Sequence, residues 1–266
     1  MPKLTSTDNA AVKDLVRLHT RRGRREAGQA LLEGPHLLME ALAAGRPISQ
    51  VFFLDDWAAG REGKDLLARA GKSGAVLCPA SARVLAKITT TDTPPPVAAT
   101  IPLALTPAAP AAAKVAGLLV DGLQDPGNLG TILRTAWGAG LETVWVTAST
   151  VDLYAPKVLR AALGAHFHLS LREIGRDECL SAIEHEGWRL VAMEPGAPTP
   201  FWRAAFHPPC LICIGGEARG IDPDLRRAAA EAVSIPLAAG VDSLNAAISA
   251  GIALFELVRR RGMGGE

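Results

Sequence analysis

The chain has 266 residues, 48% of them apolar, a formal net charge of +1 and four cysteines. That length carries one large domain or two ordinary ones, with enough apolar side chain for substantial cores. Sparse cysteine (Cys78, Cys179, Cys210 and Cys213) argues against a disulfide framework and suits a reducing cytosol, and no uninterrupted apolar run is long enough to span a bilayer. The first ten residues, MPKLTSTDNA, lack the apolar stretch of a secretion signal, so a cytoplasmic location is expected.

In chain order, Ala10 to His19 reads as a helix capped by Ser6, Thr7 or Asp8. Residues 13 to 26 then carry Lys13, Arg17, Arg21, Arg22, Arg24 and Arg25 against Asp14 and Glu26. Such a cluster attracts phosphates, and it equally suits a solvated helix end. Ala30 to Glu33 is a short strand, Pro35 opens a helix to about Ala44, and Gln50 to Leu54 is strand-like. Gly63 to Ala70 is helical and Ala75 to Leu77 strand-like, which makes a small α/β domain. The segment Thr89 to Ala113, rich in proline and alanine, reads as an extended connection. A domain boundary is therefore placed near residue 105, giving domains 1–105 and 106–266.

Beyond it, buried-strand candidates are Ala116 to Val120, Thr143 to Val146, Arg189 to Ala192, Leu211 to Ile214 and Ala232 to Ile235. Leu129 to Trp137 has helical periodicity, with Asn128 as its N-cap and Gly140 as its stop, and a last helix runs from about Ser243 to Arg260. Strands apolar throughout and separated by helices imply a parallel sheet covered on both faces.

Three glycine-bearing turns follow the carboxyl ends of those strands, where open parallel sheets bind ligands. They run from Asp121 to Arg134, from Gly215 to Gly220 and from Ile235 to Asn245. Residue by residue they are ambiguous. Asn128 and Ser243 suit helix caps, and Arg134, off the apolar stripe, suits a solvated surface. A helical side chain leans toward the N-terminus, however, which aims Arg134 back at the glycine turn. Glu217, just after a buried strand, needs a partner or water. Neither G-x-G-x-x-G after the first strand, nor a P-loop, nor G-x-S-x-G is present. Cys210 and Cys213 have metal-ligand spacing but read as buried strand residues, and His166 and His168 as ordinary strand or surface residues, so no metal is expected.

Together the three turns resemble the motifs of the SpoU-type, or TrmH-like, branch of the SPOUT RNA methyltransferases. Asn128 to Ala136 matches N-x-G-x-x-x-R-T-A, Gly215 to Gly220 matches G-x-E-x-x-G, and Ile235-Pro236 with Ser243-Leu244-Asn245 matches I-P followed by S-L-N. Arg160 to Phe167 resembles a further family segment that helps shape the pocket. Arg24-Arg25 with Leu32 to His36 resembles, less specifically, the L30e-like RNA-binding domain of many rRNA-modifying members.

The resemblance implies a parallel-sheet SPOUT domain with a C-terminal trefoil knot, preceded by the L30e-like domain. It implies S-adenosylmethionine as methyl donor, a ribose 2′-hydroxyl of RNA as acceptor, 23S-type ribosomal RNA first and tRNA second, and a homodimer with a composite site. Asn128, Arg134, Glu217, Ser243 and Asn245 then take the catalytic roles. Gly215, Gly216, Ile235, Leu237 and Leu244 hold the donor, and Arg21, Arg22, Arg24 and Arg25 bind RNA. Small residues Ala246, Ala247, Ala250 and Gly251 would let the last helix approach a partner subunit or pack within its own chain. Two other classes stay open: an RNA-binding protein that has lost catalysis, and a generic α/β nucleotide-binding module.

Overall fold

The computed structural model describes residues 2–103 and 116–262. They fall into two compact units. The first takes the described part of Met1–Thr106 together with Tyr154–Phe167, and the second the described part of Pro107–Leu153 and His168–Glu266. The boundary expected near residue 105 lies outside the described residues.

The first unit contains α1 (Ala10–Arg17), α2 (Arg21–Ala27), β1 (Gln29–Glu33), α3 (Pro35–Ala43), β2 (Gln50–Phe53), α4 (Asp55–Ala59), α5 (Arg61–Lys72), β3 (Val76–Pro79), α6 (Ala82–Ile88) and β4 (Val97–Pro102). Its four strands pair in the order β1-β4-β2-β3. One expectation fails here. The stretch read as an extended connection from Thr89 contains β4, a buried strand paired antiparallel to both β1 and β2. Val97-Ala98-Ala99-Thr100-Ile101 has strand propensity and burial on both faces, and the flanking prolines masked it. Helix α1 is capped by Asn9, whose side chain accepts from the Ala11 amide, rather than by Ser6, Thr7 or Asp8.

Arg160 to Phe167, expected to help shape the catalytic pocket, lies within the segment Tyr154–Phe167, which belongs to this first unit. That segment carries α8 (Pro156–Ala162) and a 3-10 turn, Ala165–Phe167. Leu159 and Phe167 join the apolar core beneath the sheet, with Leu32, Leu38, Val51 and Ile101. His166, read as a strand or surface residue, is buried in the turn. The Arg160 guanidinium donates to the Glu33 carboxylate at 2.5 Å, and the Thr90 amide and hydroxyl each donate to the other carboxylate oxygen at 2.9 Å. Glu33 is almost fully enclosed, its side chain 1% exposed. Breaking a buried pair by removing one member leaves an uncompensated charge. Arg160→Ala is therefore expected to lower unfolding stability by about 3 kcal/mol. A denaturant titration in which the midpoint hardly moved would show that Thr90 alone satisfies Glu33.

The second unit is built on a seven-stranded sheet of order β7-β6-β5-β10-β8-β11-β9, parallel at every pairing. Its elements are β5 (Ala116–Asp121), α7 (Pro126–Gly138), β6 (Thr143–Thr147), β7 (Ser170–Ile174), α9 (Arg176–His185), β8 (Arg189–Met193), β9 (Thr199–Pro200), β10 (Cys210–Gly215), α10 (Pro223–Ala228), β11 (Glu231–Ser234) and α11 (Ala246–Gly262). Strand alternation separates two faces. Leu119, Leu211 and Cys213 pack with Cys179 and Ile183 of α9 and Leu225 of α10. Helices α7 and α11 pack against one another and bury Leu129, Ile132, Leu133, Ala250, Leu254 and Leu257. Strands β7 and β9 escaped the sequence reading: both lie at sheet edges and are only partly buried, so they carry no continuous apolar run. Burial pushes the Cys213 thiol well above its ordinary range, with the Asp121 carboxylate adding to the effect. The Cys179 thiol is pushed up to about 12 for the same two reasons. Neither thiol supplies a thiolate at neutral pH.

Candidate active site

The turns after β5, β10 and β11 meet at one end of the sheet, joined by a chain of side-chain amides. Asn128 Nδ2 donates to Glu217 Oε1 at 2.5 Å, and Asn245 Nδ2 donates to Asn128 Oδ1 at 3.1 Å. Asn245 Oδ1 in turn accepts from the Ala247 and Ile248 amides at 2.9 and 3.3 Å. Glu217, Asn128, Asn245 and the N-terminus of α11 thus form one continuous relay. Each amide has both ends committed, so each side chain is fixed in orientation. This arrangement corrects two capping assignments. Asp125, not Asn128, caps α7 by accepting from the Asn128 amide. Asn245, not Ser243, caps α11, and Ser243 lies in the preceding loop.

Between the second and third turns lies a cavity of about 470 Å³, within the roughly 300–1,000 Å³ of small-molecule sites. Gly215, Gly216, Ile235, Leu237 and Leu244, the expected donor-holding residues, all line it, and so do Glu217 and Ser243. The glycines are required by contact rather than by dihedral angle. A Cβ at Gly215 would stand 2.3 Å from the Gly220 carbonyl carbon, and one at Gly216 would stand 2.4 Å from the Gly122 carbonyl oxygen. These are backbone atoms, which cannot swing aside. The narrow passage lets a ligand lie against peptide groups. Sequence reasoning missed the turn after β8, where Met193, Glu194 and Pro195 complete the lining. The same rule about carboxyl strand ends would have found it.

Arg134 stands apart from this group. It is exposed on α7, does not line the cavity, and makes no hydrogen bond or ion pair among the described residues. Trp137, expected on the buried stripe, is 36% exposed and stacks flat on His168 with ring centroids 4.2 Å apart. The small residues of α11 face inward: Ala246, Ala247 and Ala250 are buried, and a Cβ at Gly251 would touch Thr135.

In the first unit, the expected RNA-facing arginines divide. Arg24 is buried, 3% exposed, and its guanidinium donates to the Leu18 carbonyl at 2.7 Å. It is a structural residue, because a cation so enclosed has no face left for phosphate. Arg21 is half-buried, while Arg22 and Arg25 are exposed, Arg22 pairing with Glu26 at 2.6 Å.

An all-parallel sheet with a ligand-sized cavity over its carboxyl edge, walled by close-packed glycine turns and the carboxylates of Glu194 and Glu217, fits an α/β group-transfer enzyme with a nucleotide-like ligand. Residues 116–255 match the SpoU rRNA Methylase family, and residues 9–99 match the MRM3-like substrate binding domain. The chain belongs to the SpoU rRNA methylase family. It is 37% identical to a tRNA/rRNA methyltransferase of Synechocystis over 97% of its length and 94% of that protein's. It is 31% identical to the 23S rRNA (guanosine(2553)-2'-O)-methyltransferase RlmP of Bacillus subtilis, covering 97% of this chain and 99% of that one. The SpoU methyltransferase AviRb of Streptomyces viridochromogenes, solved in complex with AdoMet, superposes with a TM-score of 0.86 at 26% identity, covering 97% of this chain and all of that one.

Proposed function

We propose that this protein transfers a methyl group from S-adenosylmethionine to a ribose 2′-hydroxyl of 23S-type ribosomal RNA. The observation that carries the reading is the relay from Glu217 through Asn128 to Asn245, which ties three distant turns around one donor-sized cavity. The cavity fits the donor: an apolar floor for the nucleoside, glycine backbone for close approach, and a polar wall at one side. The donor supplies an already activated sulfonium methyl, so the chain must align the acceptor and handle one proton. Glu217 and Ser243 at the wall hold the ribose. Asn128 keeps the Glu217 carboxylate in place. Arg134 binds the neighbouring phosphate through its planar fork, since an arginine keeps its proton above about pH 12 and makes a poor base. The test is incubation with labelled donor and ribosomal RNA, followed by alkaline hydrolysis. Label in alkali-resistant dinucleotides is the expected result. Label on a base, or none on any RNA, defeats the reading.

A homodimer belongs to the same proposal. Ile248, Ile252, Phe255 and Val258 form an exposed stripe along α11, 36% to 56% accessible. A second copy of the chain is the occupant that fits, because the two-fold pairing of one helix face covers the same stripe twice. In that pairing Arg134 would serve the partner's cavity. Sedimentation at twice the chain mass is expected, and Phe255→Arg should yield monomers. A wild-type monomer at micromolar concentration would refute this.

The trefoil knot implied by family resemblance belongs to the same proposal. The first unit would present RNA through Arg22 and Arg25, in the cytoplasm where ribosomal RNA is found. Replacing both by glutamine is expected to weaken RNA binding and to reduce the slope of log K against log salt by about 1 to 2. An unchanged slope would make the cluster structural throughout.

A further inference from the structure

The donor cavity has a neighbour. A second cavity, of about 710 Å³, lies on the other side of the turn from Glu217 to Ile221, which walls both. Its rim is made by the ends of β5 and β6: Asp121, Gln124 and Ser149, with Asp222 facing them. The acceptor ribose must reach the donor methyl directly, so the base it carries lies to one side of the donor, and this cavity adjoins the donor site along Glu217 and Arg219.

The lining chemistry selects what enters. Asp121, Glu217 and Asp222 oppose a single cation, Arg219, so the space disfavours phosphate and suits a base. The Gln124 amide is pinned. Its nitrogen donates to the Gly122 carbonyl at 3.0 Å and to the Ser149 carbonyl at 2.8 Å. Only the amide nitrogen satisfies two carbonyls, so the orientation is unambiguous. Gln124 Oε1 accepts nothing among the described residues and is held as a fixed acceptor. Asp222, half-buried on the same lining, is likewise fixed, its Oδ1 accepting from the Asp224 amide at 2.8 Å. A wall of fixed acceptors favours a base edge that presents adjacent N–H donors. Guanine offers both N1–H and the 2-amino group. Adenine and cytosine set one amino group beside a ring acceptor, and uracil sets one N–H between two carbonyls. Arg219, exposed on the shared wall, matches guanine O6 and N7.

Resting on the methyltransferase reading, we infer that the second cavity receives the base of the target nucleotide, that it selects guanine, and that Gln124 is a specificity-determining residue. The test maps the ribose methylated in ribosomal RNA by the full-length protein, then compares transcripts carrying guanine, adenine, cytosine, uracil or inosine there. Guanine should exceed adenine, cytosine and uracil in kcat/KM by about tenfold or more, with inosine, which lacks the 2-amino group, between. Gln124→Ala should shrink that preference to about twofold, with donor affinity, measured by titration of S-adenosylhomocysteine, unchanged. Ribose methylation of a nucleotide other than guanosine overturns the inference and leaves the methyltransferase reading standing. So does a guanine preference that survives in Gln124→Ala. Failure to methylate any RNA removes both.

Discussion

Replacing Arg134 by alanine is expected to abolish ribose methylation, by at least about a hundredfold in kcat/KM, while donor affinity stays within about twofold. The residue matches the arginine of the first family motif, yet it lies outside the donor cavity and spends its charge on no partner within the described chain. A guanidinium left free on a rigid helix is available for gripping a phosphate. Its distance from the relay also makes a specific statement about assembly. If Arg134 serves the partner's cavity, two dead variants should rescue each other. Coexpressed Arg134→Ala and Glu217→Ala chains would pair at random, and half the dimers would be mixed. Each mixed dimer would hold one intact site, restoring about a quarter of wild-type activity. Coexpression without recovery would place Arg134 and Glu217 of one chain in the same site, and near-normal turnover by Arg134→Ala alone would end the assignment.

Gly216→Ala should be among the most damaging single-methyl changes in the second unit, together with Gly215→Ala. The Cβ added at Gly216 would meet the Gly122 carbonyl oxygen at 2.4 Å and its carbon at 2.9 Å. Relief requires separating the first turn from the second, and Asn128 bonds to Glu217 across that same seam. Overpacking commonly costs about 1–3 kcal/mol. Here the obstacle is backbone, so a loss at the upper end is expected, with donor affinity reduced by more than about tenfold. Gly138→Ala is the control, since a Cβ there meets nothing within 4 Å and its dihedral is ordinary. The pair separates crowding at the crossing from a general intolerance of alanine. Equal stability and equal donor affinity for the two variants would show that the crossing relaxes freely.

Which parts of this molecule were legible in the sequence follows from where each residue's partners lie. Strands β5, β6, β8, β10 and β11 carry mostly apolar runs and announce themselves, because burial on both faces leaves no polar alternation. Edge strands β7 and β9 do not, and β4 was hidden behind Pro94, Pro95 and Pro96. The donor-lining residues were read through motif resemblance and do line one cavity. Contacts were harder. Nothing local distinguishes Arg24, which turns inward to the Leu18 carbonyl, from Arg25, which stays outside. Asn128 looks like a cap, and only the fold shows that Asp125 takes that duty and frees its amide to bridge Glu217 and Asn245. The partner of Arg160 was hidden for the same reason, since Glu33 is 127 positions away.

That last excursion bears on how the protein can be dissected. Because Tyr154–Phe167 contributes α8 to the core of the amino-terminal unit, a cut through the proline-rich region yields fragments that are both incomplete. The carboxyl-terminal fragment would carry Leu159 and Phe167 as bare grease and Arg160 as a cation without its anion. The amino-terminal fragment would keep Glu33 enclosed and facing a hole. Grafting the first unit onto another protein would therefore have to carry two separate stretches of chain, an interleaving that keeps the two units together in inheritance.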